Sequence, residues 1–214
     1  MIESHPVDVP RLDGSLIRLA LLSLDHVPGL IEAATEDPSL YAWTPIPQTA
    51  AAMRQYVEVA LAGWERGEML PFAIIRSGDG AIVGSTRYYN IERWAWPTGH
   101  PLHGRMTPDV CEIGYTWLGR SAMRTGVNTQ AKRLLLGHAF EAWRVHRVSL
   151  RTDARNLQSR HAIERIGGKL DGCLRGERPA VDGTVRDSVV YSIVAREWPA
   201  VSEALRRLES RSCA

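Results

Sequence analysis

The sequence predicts a mixed α/β domain, with a central twisted sheet of parallel and antiparallel strands flanked by helices. Three observations carry this. Strand-like and helix-like segments follow the order β-α-α-β-β-β-α-β-α-β-β, unlike the strict alternation of a doubly wound sheet. The 214 residues are 44% apolar and 23% charged, enough to bury the core of one domain spanning residues 1–214. No repeat, low-complexity tract or linker divides the chain.

The elements follow in order. "SLIRLALL" (15–22) alternates after the Asp13-Gly14 turn and reads as the first strand. "SLDHVPGLIEAATED" opens with Ser23 as N-cap and Asp25 in its first turn, predicting a helix irregular around Pro28-Gly29. "PSLYAWTPIPQT" (38–49) is a proline-punctuated loop. "AAMRQYVEVALAGWERG" has helical apolar spacing and ends at Gly67, a C-terminal signal. "LPFAIIRSGDGAIVGSTRYYNI" predicts two strands around a Gly78-Asp79-Gly80 turn. Residues 92–109, rich in Trp, Pro, Gly and His, are too irregular for an element and read as a functional loop or an insertion. "VCEIGYTWL" (110–118) and "HRVSLRTD" (146–153) are strands, with a loop and helix between them. "NLQSRHAIERIGG" is a helix closed by Gly167-Gly168. A hairpin turning at Asp182-Gly183 and a charged helix at about 196–210 complete the chain.

The net charge of +2 hides a strong asymmetry. Between residues 120 and 165 stand ten Lys and Arg against three acids, so the remainder of the chain is acidic. That basic third suits a polyanionic ligand. Its arginines are not interleaved with stacking aromatics, which argues against nucleic acid. Cys111, Cys173 and Cys213 are odd in number and form no C-x-x-C pair. Free thiols in a reducing cytoplasm are expected, with neither a disulfide framework nor a zinc site. No apolar run reaches the length of a membrane span, and the first residues lack the plan of a signal peptide. His100 and His103 form H-x-x-H without a third ligand nearby in sequence, so no metal is expected.

The chemistry concentrates in "MRTGVNTQAKRLLLGHAFEAW" (123–143), a loop that turns at Gly126 and enters an amphipathic helix. First-turn N–H groups and the helix dipole suit an anion, above all phosphate. An ordinary loop entering an ordinary helix is the alternative. No Walker-type Lys-Ser/Thr pair accompanies the glycine.

The element order, with "CEIGYTWL", "RTGVNTQAKRLLLGHAFE", "RTDARNLQSRHAIERIGG" and "DGTVRDSVVYSI", resembles the GNAT superfamily of acyl-CoA-dependent N-acyltransferases, and its RimJ/RimL-like branch in particular. The family's pyrophosphate loop reads Arg/Gln-x-x-Gly-x-Gly/Ala; here Met123, Gly126 and Asn128 stand at those positions. The resemblance implies acetyl-CoA as co-substrate without a metal. It implies a primary amine as acceptor, either a protein N-terminus or a small molecule, attacking directly in a ternary complex. A catalytically silent acyl-CoA-binding module of the same fold is the alternative.

The resemblance also implies roles. Glu112 is the candidate general base, directly or through water, with a structural partnership to an arginine or tyrosine as its alternative. As a base it should have a pKa raised by partial burial. Backbone groups of Thr116, Trp117 and Leu118 would run beside the pantetheine arm. Amides of Arg124, Thr125, Gly126, Val127, Asn128 and Thr129 would hold the phosphates, with Arg124, Arg155 or Arg160 adding charge. Asn156 would cap its helix and hydrogen-bond the pantetheine. The tyrosine acid used by many members would fall at Ile163, so Ser159 is the substitute candidate as well as a cofactor contact. Strand alternation turns Cys111 away from the active face, so no cysteine acyl-enzyme is expected. Tyr41, Trp43, Trp94 and Trp96 are candidates for the acceptor side, with core capping or a homodimer interface as alternatives.

Overall fold

The computed structural model describes residues 8–212. Its strands are β1 (Leu12–Asp13), β2 (Ile17–Leu21), β3 (Met69–Arg76), β4 (Ile82–Glu92), β5 (Val110–Leu118), β6 (Arg147–Asp153), β7 (Lys169–Pro179) and β8 (Val185–Val194). The helices are α1 (Val27–Thr35), α2 (Ala50–Glu65), α3 (Val127–Gly137), α4 (Leu157–Arg165) and α5 (Trp198–Ser212). All eight strands join one sheet in the order β1-β2-β3-β4-β5-β6-β8-β7.

Strand alternation divides the core between the two sheet faces. On β3, Leu70, Phe72 and Ile74 join a cluster with Tyr88, Cys111, Leu135, Val148 and Trp198. Ala73 and Ile75 join a second cluster with Leu30 of α1 and Met53, Val57 and Ala60 of α2. The expected plan of a mixed sheet flanked by helices is the observed one.

One junction matters for function. Every neighbouring pair is antiparallel except β5 and β6, which run parallel through only three pairings, the last being Glu112↔Ser149. Just beyond it β5 is bulged. Its pairing with β4 passes from Gly114↔Arg87 to Trp117↔Ser85, so Tyr115 and Thr116 face the single residue Thr86. Tyr115 takes φ 51°, left-handed backbone that a bulky residue rarely adopts. A bulge bends and overtwists its strand. The far half of β5 therefore parts from β6 and opens the sheet.

Several boundaries move for local reasons. The first predicted strand starts later, at Ile17, because Gln130 Oε1 of α3 accepts the N–H groups of Leu16 (2.8 Å) and Ile17 (3.0 Å). The two-residue β1, pairing Leu12 with Leu19, is too short to show alternation in the sequence. The helix after Ser23 begins as a 3-10 turn, with α1 proper starting at Val27 and Pro28 in its first turn. The helix through residue 143 is α-helical to Gly137 and then widens into a π turn over His138–Ala142. The C-terminal helix runs slightly later than expected, Trp198–Ser212.

Asn156 caps α4: its Oδ1 accepts the Ser159 N–H at 3.0 Å. Asn156→Ala is expected to lower stability by about 1 kcal/mol, read as a lower urea midpoint at unchanged m-value.

Candidate active site

The helix that opens at the parted strands is α3. Its N-cap Gly126 has φ 85° and Arg124 has φ 63°, so two left-handed residues turn the chain into the helix. The Gly126 carbonyl accepts the Gln130 N–H at 3.0 Å. The amides of Val127, Asn128 and Thr129 therefore precede the first intrahelical bond, as anion binding requires. This loop borders a cavity of about 530 Å³. Thr116, Trp117 and Leu118 of β5 line one side, and Ser159, His161 and Arg165 of α4 line the other. Arg165 donates to Thr129 Oγ1 at 3.2 Å, placing a guanidinium against the first turn of α3.

A second cavity of about 680 Å³ adjoins it, sharing Trp43, Thr116, Asn128, Asn156 and Ser159. Its apolar wall is Ile113, Leu150, Ile163 and Ile166; its polar wall includes Tyr56, Tyr89, Tyr115, Lys132 and Arg151. The two cavities make one cleft, and Ser159 and Asn156 stand where they meet.

Glu112 lies behind that wall and lines neither cavity. It is 2% exposed, and its carboxylate is crowded with donors. Arg151 binds it bidentately through Nε (2.8 Å) and Nη2 (2.9 Å), and Asn90 Nδ2 donates at 3.1 Å. The Tyr89 hydroxyl, from the cavity wall, also donates to it. Arg151 bridges onward to Glu177. Burial, followed by the Glu112 charge, raises the Tyr89 phenol well above its ordinary value. Against the burial that would raise it, Ser188 and then Arg178 hold the Glu177 carboxyl down at about 2. Cys111 turns to the opposite face, into the core, where burial raises its thiol.

Other expected residues divide. Gly126, Arg124, Asn128, Thr129, Thr116, Trp117, Leu118, Asn156, Ser159, Tyr41 and Trp43 all border the cleft. Tyr41 also donates to the Leu118 carbonyl at 3.1 Å, and burial raises its phenol to about 12. Thr125 and Val127 do not line the cleft; Thr125 bonds the Ala122 carbonyl and Val127 packs into the core.

Arg160 lines neither cavity. It reaches away to the Tyr191 hydroxyl (3.1 Å) and the Ala154 carbonyl (3.3 Å), because its helix face looks onto β8. Arg155 is taken by Asp153 and Asp182 while lying over the Trp43 ring. Trp94 and Trp96 also line neither cavity. Trp94 N–H and Trp96 Nε1 donate to the buried carboxylate of Asp109, and both rings pack on His146. His100 of the H-x-x-H pair stacks on Trp96.

Sequence reading missed Lys132, Arg165, Arg151 and Tyr89. Lys132 had a legible signal: it follows Asn128 by four residues and so shares that residue's helix face. It is 6% exposed and donates to Thr116 Oγ1, and burial lowers its pKa to about 7.

A bulged strand parting from its parallel neighbour, with a glycine-headed helix at the opening, makes a site suited to an anion such as a phosphate. The chain belongs to the GNAT acetyltransferase family: the model described as "Acetyltransferase (GNAT) domain" matches residues 17–169. Members of this family are acyl-CoA-dependent N-acetyltransferases. The chain is 28% identical over 159 residues to a Bacillus subtilis (strain 168) protein named "Putative ribosomal N-acetyltransferase YdaF", covering 73% of this chain and 78% of that one. Among solved structures it resembles a "putative acetyltransferase from T. thermophilus", at 32% identity and TM-score 0.76, covering 94% and 97% of the two chains. It shares its fold with Mycobacterium smegmatis RimJ in complex with CoA-disulfide, at 23% identity and TM-score 0.74, covering 90% and 88%. Among the described residues, no helix is long and apolar enough to cross a membrane.

Proposed function

We propose that the protein moves an acetyl group from acetyl-CoA to a primary amine, a protein N-terminus or a small molecule, by direct attack in a ternary complex in the cytoplasm. The observation that carries the reading is the Gly126-headed helix at the parted β5–β6 pair, with a second cavity adjoining. The diphosphate sits on the amides of residues 126–129, with Arg124 and Arg165 adding charge. The pantetheine arm follows Thr116–Leu118 and passes Asn156. The thioester then lies where the two cavities meet.

The amine nitrogen attacks the thioester carbonyl, a C–N bond forms and the C–S bond breaks. The amine proton passes through the Tyr89 hydroxyl to Glu112. An N-terminal-type amine of pKa about 7.7–8 needs less help from a base than a lysine side chain near 10.4. Ser159 hydrogen-bonds the departing sulfur, whose ordinary thiol pKa makes it a fair leaving group.

The test mixes protein, acetyl-CoA and a panel of amines and follows thiol release. Release dependent on both protein and amine is the expected result. Calorimetric binding of coenzyme A with no release across peptides, amino acids, aminoglycosides and polyamines establishes instead the silent binding module.

A further inference from the structure

Resting on that acyltransferase reading, we propose that the larger cavity selects an acceptor amine carrying its own anionic group, a carboxylate or a phosphate, which pairs with Lys132. Among the described residues, those lining this cavity include Lys132, Arg151, Arg178 and Arg186 and no aspartate or glutamate. Two of these cations are already matched, Arg151 by Glu112 and Glu177, and Arg178 by Glu177. Lys132 is not: its ammonium meets the Thr116 hydroxyl, and among the described residues no carboxylate pairs with it. Arg186 also has no carboxylate partner among the described residues and meets the Ser188 hydroxyl at 2.9 Å; behind the wall lies a further unmatched cation. Arg87 is 3% exposed, its guanidinium 4.2 Å from the Tyr115 ring centre and 4.9 Å from that of Tyr56. Among the described residues its Nε and Nη2 have no hydrogen-bond partner.

Buried ammonium groups are unfavourable unless paired. One facing an acid-free cavity is a position for an incoming anion. The diphosphate is not that anion, because Lys132 lines the larger cavity and not the one bordered by Arg124, Gly126 and Thr129. The thioester end of the carrier is neutral. The anion therefore belongs to the acceptor, and polycationic acceptors are repelled. Pairing the acceptor's anion with Lys132 also removes the field that holds the proton on its neighbouring amine, easing the deprotonation that attack requires.

The titration of Lys132 sharpens this. Besides Thr116, which Lys132 meets directly, the titratable and charged groups that line the same cavity are Tyr115 on β5, Tyr56 on α2, Tyr89 on β4, Arg151 on β6, Arg178 on β7 and Arg186 on β8. None supplies an unpaired negative charge, and burial leaves Lys132 near 7. An arriving anion favours the protonated form, so above pH 7 binding takes up a proton and weakens as pH rises.

The test is a calorimetric titration of the full chain with coenzyme A present, using pairs in which one member carries an anionic group that the other lacks: β-alanine against β-alaninamide, and phosphoethanolamine against ethanolamine. The first pair reads a carboxylate and the second a phosphate. At least tenfold tighter binding of the anionic member in one pair is expected. So is proton uptake at pH 8, read from buffers of different ionisation enthalpy. Lys132→Met should bring the two members of that pair within threefold. The wild-type pH series stands independently of whether that variant folds. Equal or tighter binding of both neutral members, or no measurable binding of either anion, overturns the proposal. Because this reads binding, the two ideas fail separately. Anion selection without acetyl transfer sinks the acyltransferase reading alone, and transfer confined to neutral or cationic amines sinks the anion site alone.

Discussion

Glu112→Gln should lower stability by about 3 kcal/mol and turnover by at least 100-fold. The stability loss follows from geometry. The substitution removes the charge that faces the bidentate guanidinium of Arg151 at 2.8 and 2.9 Å, in a position 2% exposed. Removing one partner of a buried pair leaves the other uncompensated, and Glu177 can satisfy only part of Arg151. In a chain of this size the melting temperature should fall by about 6–12 °C. The turnover loss follows from the relay through Tyr89, so Tyr89→Phe separates the two effects. It leaves the Glu112–Arg151 pair intact and cuts only the path to the cavity. Turnover of Tyr89→Phe within threefold of wild type would make Glu112 a structural carboxylate and nothing more.

Gly126→Val should weaken coenzyme A binding at least tenfold by calorimetry, with Gly126→Ala between it and wild type. At φ 85° a side chain of L configuration is strained, by about 1–2 kcal/mol, and most so when β-branched. The loop relieves that strain by rotating out of the left-handed region. Rotation swings the amides of residues 127–129 away from a common target, and the anion site depends on their convergence. Melting temperature controls for general damage, since a strained loop at a helix N-terminus destabilises without unfolding the sheet. Unchanged coenzyme A affinity in a folded Gly126→Val protein would move the diphosphate elsewhere.

The elements closest to the chemistry were legible because their signals are local. Strand β5 shows as a run of apolar and aromatic residues, α3 by a glycine before an amphipathic stretch, and α4 by an asparagine cap. The Tyr115 bulge was not legible. It exists in the register between β4 and β5, and only pairing reveals that two residues of one strand oppose a single residue of the other. The same limit applied to side chains outside the cleft's main motifs. Arg160 and Arg165 both lie on α4, yet one turns to Tyr191 and the other to Thr129 of α3. Loop tryptophans looked like contact surfaces. Nothing in residues 92–109 indicates that Asp109 would gather Trp94 and Trp96 around His146.

By itself, then, the sequence determined the order and kind of the main elements, the turn at Gly126 and the helix mouth behind it. Each of these follows from interactions within a few residues: side-chain periodicity, capping and backbone sterics. Tertiary structure alone decided that Glu112 is locked to Arg151 behind Tyr89, and that Lys132 is buried against a cavity with no acid on its wall. Those facts depend on which strands pair, in which register, and where the sheet parts. The partners are separated by tens of residues along the chain, where no local pattern connects them.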